Sequence, residues 1–524
     1  MYASHGFLRS DIGDVDVLFH EGQFHLFHLV LPNHDYIAHA VSEDGLSWRR
    51  VKNALFVGEP GQWDDDMLWT MHVSADPDHP GRWRMFYTGL SRWEYGRVQR
   101  IGVAESDDLM HWERVDHPAY PLQASSEWYE STVDEGRHWV SFRDPFFYIE
   151  PKTGRRLLLA AGRMKDGPVV RRGCVAVMEE VERNRWEARE PLYHPGLYDD
   201  VEVPVLTRIG RRNFLLGSIR EDVKVHYWLN DSVGEPFGNY FDNVLLPKGN
   251  YAARVCEMPD GPPLLFNFFT KRESDPSGRE FNKRMLPPPK ALVMDDTGRL
   301  RLQTYRQFDR EVESWRSCAE LQPVRRLFDN RHAWERSEEA ALHVGCPSGY
   351  EAFVLPGEYR HFRVTAQVSF EGQGKCGMVL RCDDDGNGYY LSLDLIKGVA
   401  QVRAWGKREG GFVEQAFDYQ NLQAGYFVSD TQGPWDIVVL CRGMYIEVAI
   451  DGFVVLTLVN DAYHEGQIGF YTESAGLRVD DLAVQVLRDP KVEEHGPLCQ
   501  ISDAPQPALA GVAGDFTGPT PPEV

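Results

Sequence analysis

The sequence predicts an all-β protein, a five-bladed β-propeller followed by a C-terminal antiparallel β-sandwich, and three observations carry that expectation. Over roughly the first 310 residues, short apolar and aromatic runs alternate with clusters of Gly, Asp, Asn and Pro, with no convincing amphipathic helix among them. Within that region the segment Ile37–Trp48 matches Ile101–Trp112 through a shared Ser-x-Asp-x-x-x-Trp core. A strand-built repeat of this length is the signature of a four-stranded blade, here with the Trp packing between blades. Beyond residue 341 strands alternate again, at His361–Ser369, Tyr389–Leu393, Trp435–Leu440, Tyr445–Ile450 and Gly466–Phe470, with Asp451-Gly452 as a hairpin signal.

The blades follow in chain order. The first holds Gln23–Leu29 and the outer strand of the first repeat copy. The second holds Trp83–Thr88 and the second copy. Strand counting supplies the rest: Leu157–Ala161 and Cys174–Met178 for the third, Asn213–Gly217 and Val225–Leu229 for the fourth, Leu264–Phe269 and Ala291–Met294 for the fifth. The expected domains are residues 1–307 (propeller), 308–340 (a connector, helical in pattern around Arg306–Cys318), 341–488 (sandwich) and 489–524 (a disordered tail rich in Pro, Gly and Ala).

The formal net charge of −23 argues against a nucleic-acid partner, which needs basic side chains to displace counterions, and against an anionic membrane surface. It suits a neutral oligosaccharide or glycoside substrate and leaves room for a homo-oligomer. No apolar run approaches the length of a membrane span, and the first residues show no secretory signal pattern. The eight cysteines form no Cys-x-x-Cys pair and fit no zinc spacing, so they read as reduced, buried thiols of a cytoplasmic protein. No metal and no cofactor are expected. His20, His25 and His28 read as structural or surface groups.

In a propeller the innermost strands line a central funnel, so acidic residues at their starts converge. Three stand there: Asp14 opening blade one, Asp144 opening blade three and Glu202 opening blade four. A carboxylate within an apolar strand is costly unless it faces a wet cavity or a partner. Asp11 and Asp16 are alternatives to Asp14, and Asp199 and Asp200 to Glu202. Glycoside cleavage needs one carboxyl to protonate the leaving oxygen and another to attack the anomeric carbon or activate water. In Trp63–Thr70, at the start of blade two, Trp69 and Thr70 are candidates to line a sugar pocket and Asp66 to bind a hydroxyl. A solvated acidic turn before a core strand is the alternative.

At these residues the chain resembles the five-bladed propeller glycosidases, most closely glycoside hydrolase family 32, whose members cleave fructans and sucrose. Phe142-Arg143-Asp144-Pro145 stands where that family has its Arg-Asp-Pro motif, and Gly22–Phe27 resembles its Gly-x-Tyr-His-Leu-Phe strand. Tyr251-Ala252 and Leu286–Leu300 resemble its fifth blade, which places Tyr251 among the substrate-binding residues. The resemblance implies a retaining double displacement, with Asp14 as nucleophile, Asp144 as transition-state stabiliser with Arg143 beside it, and Glu202 as general acid and then base. The family's Asn-Asp-Pro-Asn-Gly is replaced here by Ile12–Asp16, and its Cys after the glutamate by Val203. Sister propeller families that cleave arabinofuranosides and xylosides, often with inversion, are the alternative. A catalytically inactive sugar-binding protein is a further one.

Overall fold

In the computed structural model, residues 2, 11–274, 280–338, 340–407, 417–429 and 433–491 are described. The segment read as a disordered tail lies almost wholly outside them. Five sheets of four or five strands succeed one another along the chain, followed by one twelve-stranded sheet. The innermost strands are Asp11–His20, Met67–Ala75, Phe142–Ile149, Glu202–Ile209 and Asn250–Cys256. Each is followed by an antiparallel neighbour, so every blade is a meander. Blade five carries an additional strand, Glu280–Met285, paired to Leu264–Ser274.

The repeated Ser-x-Asp-x-x-x-Trp core works through local hydrogen bonds. Asp44 Oδ1 accepts the backbone N–H groups of Leu46 and Ser47 at 2.8 and 2.7 Å, and Asp108 Oδ1 accepts those of Met110 and His111, each at 2.8 Å. Such a carboxylate-held turn fixes where the following Trp emerges. Each such ring packs on the preceding blade. Trp48 lies 6.2 Å from Phe266 of blade five and Trp112 lies 5.7 Å from Phe27 of blade one. Trp186 and Trp228 repeat the arrangement against Phe86 and Tyr193, at 6.0 and 4.8 Å. Aromatic pairs at these separations add to the apolar area they bury. Polar ties supplement them: the buried Arg84 of blade two pairs with Glu180 of blade three through both carboxylate oxygens, at 2.8 and 2.9 Å. At the N-terminus, Tyr2 exchanges backbone hydrogen bonds with Leu286 beside blade five.

The C-terminal sheet folds into a sandwich through two 21-residue strands, Phe362–Cys382 and Gln467–Leu487. The first half of Phe362–Cys382 pairs with Trp435–Arg442 and its second half with Gly388–Asp394, so one strand serves both layers. The helical pattern expected around Arg306–Cys318 resolves differently. A 3-10 turn at Arg306–Glu311 leads into the strand Val312–Ser317, which pairs with Gln467–Leu487. Sheet hydrogen bonding overrides the local period there. Arg325–Arg326 and Trp334–Ser337 also join the sheet, so residues read as a connector supply strands. The sandwich meets the propeller through Thr304 to Glu447 (2.6 Å), Asn250 to the Thr457 carbonyl (3.0 Å) and Gln423 to the Lys248 carbonyl (2.7 Å). The seven cysteines among the described residues are buried and unpaired.

Candidate active site

Each innermost strand carries one extra residue near its start. Pairing with the second strand slips between Ile12 and Val15, Trp69 and Met71, Arg143 and Phe146, Glu202 and Val205, and Tyr251 and Arg254. A bulge bends its strand and re-aims the neighbouring side chains. At three of them the backbone is left-handed, with φ of 61° at Asp144, 50° at Val203 and 52° at Ala252. Each such residue costs about 1–3 kcal/mol when it is not glycine. Hydrogen bonds from the preceding blade hold all three. The N–H of Asp144 donates to Thr88 Oγ1 at 3.1 Å, that of Val203 to Asp144 Oδ2 at 3.0 Å and that of Ala252 to Ser218 Oγ at 2.9 Å.

Beneath the bulges lies one fully buried guanidinium. Arg254, from the fifth blade, donates to the carbonyls of Pro204 (3.1 Å), Pro145 (2.9 Å) and Met71 (3.4 Å), and its Nε stands 3.7 Å from Asp16 Oδ1. One side chain thus touches the other four blades. Its carbonyl partners directly follow, or stand two residues beyond, Thr70, Asp144 and Glu202. Asp16 is fixed in turn by the Val73 N–H at 2.7 Å, which makes it a structural partner of Arg254.

A cavity of about 470 Å³ brings together Asp14, Asp144 and Glu202 with Arg143, Trp69 and Thr70. Tyr251 joins them through Glu202, donating to its Oε2 at 2.5 Å. Asp66 does not line the cavity. It sits in the turn before the inner strand, with its carboxylate 3.9 Å from Arg92 Nε, and the acidic residues beside it, Asp64 and Asp65, are buried and hydrogen-bonded and do not form a solvated turn. The sequence reading missed several lining residues, chiefly His34, Gln99, Trp139, Asp200 and Arg284. Of these only Asp200 had been weighed, as a rival to Glu202. It is bound to Arg137 at 2.8 Å and Arg143 at 3.3 Å, and although burial alone would raise its pKa, those guanidiniums hold it below the usual range. Asp199 is likewise committed, to Arg137, Arg163 and Arg220.

Arg143 organises the acidic wall. Its guanidinium reaches Glu202 Oε1 at 2.8 Å, Asp200 at 3.3 Å and Asp144 at 3.6 Å. Both Glu202 oxygens are therefore held, one by Arg143 and one by Tyr251. Asp14 accepts a hydrogen bond from the Thr70 hydroxyl. Burial pushes the Asp14 carboxyl above the ordinary aspartate range and the Glu202 charge adds to this, against the opposing pull of Thr70, Arg284 and Arg254. Burial also raises Asp144, with the Asp14 charge adding to it and Arg143 opposing. Gly13 is required beside Asp14, because a Cβ there would stand 2.7 Å from Leu29 Cβ. The arrangement offers a carboxylate held by one hydroxyl, a second that accepts a backbone hydrogen bond, and a third with both oxygens held, around a space of the size that holds a sugar.

Residues 14–297 match the family model of the glycosyl hydrolases family 32 N-terminal domain. The structure superposes on fructan 1-exohydrolase IIa from Cichorium intybus with a TM-score of 0.65 at 14% identity, covering 93% of this chain and 97% of that one. For the β-fructofuranosidase of Bombyx mori the values are 0.62, 15%, 91% and 92%. For the sucrose-6-phosphate hydrolase of Lactobacillus gasseri they are 0.64, 16%, 92% and 91%. A comparison with curated proteins finds no match.

Proposed function

The chain belongs to glycosyl hydrolase family 32 and is a glycoside hydrolase, and on that premise we propose that it removes fructofuranosyl units from sugars by a retaining double displacement. The observation that carries this reading is the meeting of Asp14, Asp144 and Glu202, from three blades, in one cavity whose glutamate has both oxygens fixed. The structural neighbours support it, since their names assign them fructan, fructofuranoside and sucrose-phosphate hydrolysis.

In the first step the Asp14 carboxylate attacks the anomeric carbon while the Glu202 carboxyl gives its proton to the departing oxygen. Asp144 accepts hydrogen bonds from the ring hydroxyls, which strengthen as the ring gains positive charge. Glu202, now a carboxylate, takes a proton from water, and that water displaces Asp14 and regenerates it. The test is a screen of sucrose, inulin, levan and aryl arabinofuranosides. Fructose release is expected from at least one of the first three. Release of pentose alone would move the function to the sister-family alternative.

The raised Asp14 carboxyl gives two further expectations. Attack requires the carboxylate, so the acidic limb of the pH–rate profile lies above the ordinary aspartate range. Between the unfolded chain's pKa and the higher folded value, the folded state binds more protons, so stability falls as pH rises through that window. Asp14→Asn is therefore expected to abolish hydrolysis yet raise stability at neutral pH by on the order of 1 kcal/mol. Thermal unfolding of the two proteins at acidic and neutral pH checks this, and a variant less stable than wild type at neutral pH would contradict it.

A further inference from the structure

A second cavity, of about 670 Å³, opens between the outer parts of blades three and four and shares no lining residue with the catalytic one. Tyr193 ends the outer strand Arg185–Tyr193 of blade three, and Tyr198 follows in the link to blade four. Trp228 comes from Lys224–Asn230 of blade four, and Phe237 from the segment leading to its outer strand, Val244–Leu246. Trp228 is only 2% exposed and forms the floor. Its ring centre lies 4.8 Å from that of Tyr193, and Phe237 stands 6.1 Å from Tyr193. Tyr193, Tyr198 and Phe237 are half-buried, so these rings keep open surface toward the cavity. The groove lies near the acidic wall of the catalytic cavity, because residues 198–202 carry the chain from Tyr198 to Glu202 over at most about 14 Å.

The polar groups of the groove are short of partners. The Tyr193 and Tyr198 hydroxyls make no hydrogen bond among the described residues. Burial pushes both phenols above the ordinary tyrosine range, helped at Tyr193 by Tyr198 and at Tyr198 by Asp222 and Glu221. Both therefore stay neutral hydroxyls that can donate and accept. Asn239 donates to the Tyr240 carbonyl at 2.8 Å, and Asn243 stands 3.3 Å from His226 Nδ1, whose other nitrogen is fixed by Asp222 at 2.9 Å. One amide atom of each asparagine is thus anchored and the other is left for a ligand. No Lys, Arg, Asp or Glu lines the groove among the described residues, although such residues make up 26% of the chain. An anion would find no cation here, and a purely apolar ligand would leave the hydroxyls and amides unpaired. A sugar ring satisfies both features. Its C–H face meets the negative face of an aromatic ring, and its hydroxyls exchange hydrogen bonds with neutral amides and phenols.

We propose that this groove is a second, non-catalytic binding site for a neutral saccharide. Its ligand class does not rest on the fructofuranoside reading. Titration calorimetry on Asp14→Asn, which keeps the probes from being cleaved, uses three neutral trisaccharides: 1-kestose, maltotriose and xylotriose. At least one binds in the groove, and Tyr193→Phe combined with Tyr198→Phe weakens that binding about 10-fold by removing two hydroxyls while keeping both rings. Phe237→Ala removes one wall from a half-buried segment and weakens it as well, so the test survives a misfolded tyrosine variant. If no trisaccharide responds to either change, the groove site is overturned. That holds even where 1-kestose binds the catalytic cavity, and the fructofuranoside reading then stands without the groove. If a trisaccharide binds the groove while wild type releases no fructose from sucrose or inulin, the groove stands and the fructofuranoside reading falls. A synthetic peptide of residues 505–522, rich in Pro, is the rival probe, since aromatic grooves also take polyproline helices. Peptide binding that responds to these changes, with no saccharide bound there, would overturn the proposal in favour of a peptide site.

Discussion

Glu202→Gln is expected to lower kcat on sucrose or fructans by about 10²- to 10⁴-fold while leaving the fold intact. The amide keeps the length and planarity of the carboxyl. Its oxygen can still accept from Arg143, which reaches Glu202 at 2.8 Å, and the Tyr251 hydroxyl can turn to accept from the amide N–H. What is lost is the proton for the leaving oxygen. The defect should therefore shrink for aryl fructosides, whose leaving groups need little protonation, as long as the first step limits the rate. Equal losses on alkyl and aryl substrates would assign Glu202 a role other than the acid. Activity surviving on sucrose would show that the acid lies elsewhere.

Arg254→Met is expected to have the second large effect, on both stability and turnover. The guanidinium satisfies three buried carbonyls, at 2.9–3.4 Å, and stands 3.7 Å from the buried Asp16 carboxylate. Removing one partner from such a buried set costs about 3–5 kcal/mol, because the remaining charge stays enclosed. The carbonyls belong to Met71, Pro145 and Pro204, so the bulges that aim Thr70, Asp144 and Glu202 lose their common anchor. Displacements near 1 Å at a reacting centre cost on the order of 10²-fold in rate. Arg254→Lys restores charge but not the fork, and should recover more stability than kcat. Unfolding midpoints together with kcat and KM check this. A methionine variant with wild-type turnover would show that the bulges hold without the hub.

Much of the fold was legible because its signals are local. Ser42, Asp44 and Trp48 sit at fixed offsets that one carboxylate turn imposes, and the same offsets recur at Ser106, Asp108 and Trp112. Asp14, Asp144 and Glu202 stood out because a carboxylate opening an apolar strand needs a reason. Residues whose meaning depends on other blades were silent. Arg254 lies within Tyr251–Cys256 and looks like any strand arginine until three foreign carbonyls surround it. His34 and Arg284 reach the cavity from a turn and from an added strand, and no sequence spacing links them to Asp14. Asp66 is singled out in the sequence by its nearness to Trp69, and the turn before the inner strand sets its carboxylate 3.9 Å from Arg92. Val312–Ser317 was misread because its strand state comes from pairing with Gln467–Leu487, which follows more than a hundred residues later.

The most direct test of the double displacement at Asp14 is the stereochemical course of cleavage. Sucrose is incubated with the wild-type protein in water containing methanol, and the methyl glycoside formed is analysed by NMR before it can equilibrate. Methyl fructofuranoside with the anomeric configuration of the substrate is expected, alongside free fructose, because the acceptor attacks a fructosyl–Asp14 ester from the face the leaving group vacated. An inverted product would contradict the proposed mechanism, since it would mean that the acceptor reaches the anomeric carbon directly and that Asp14 forms no bond to the sugar.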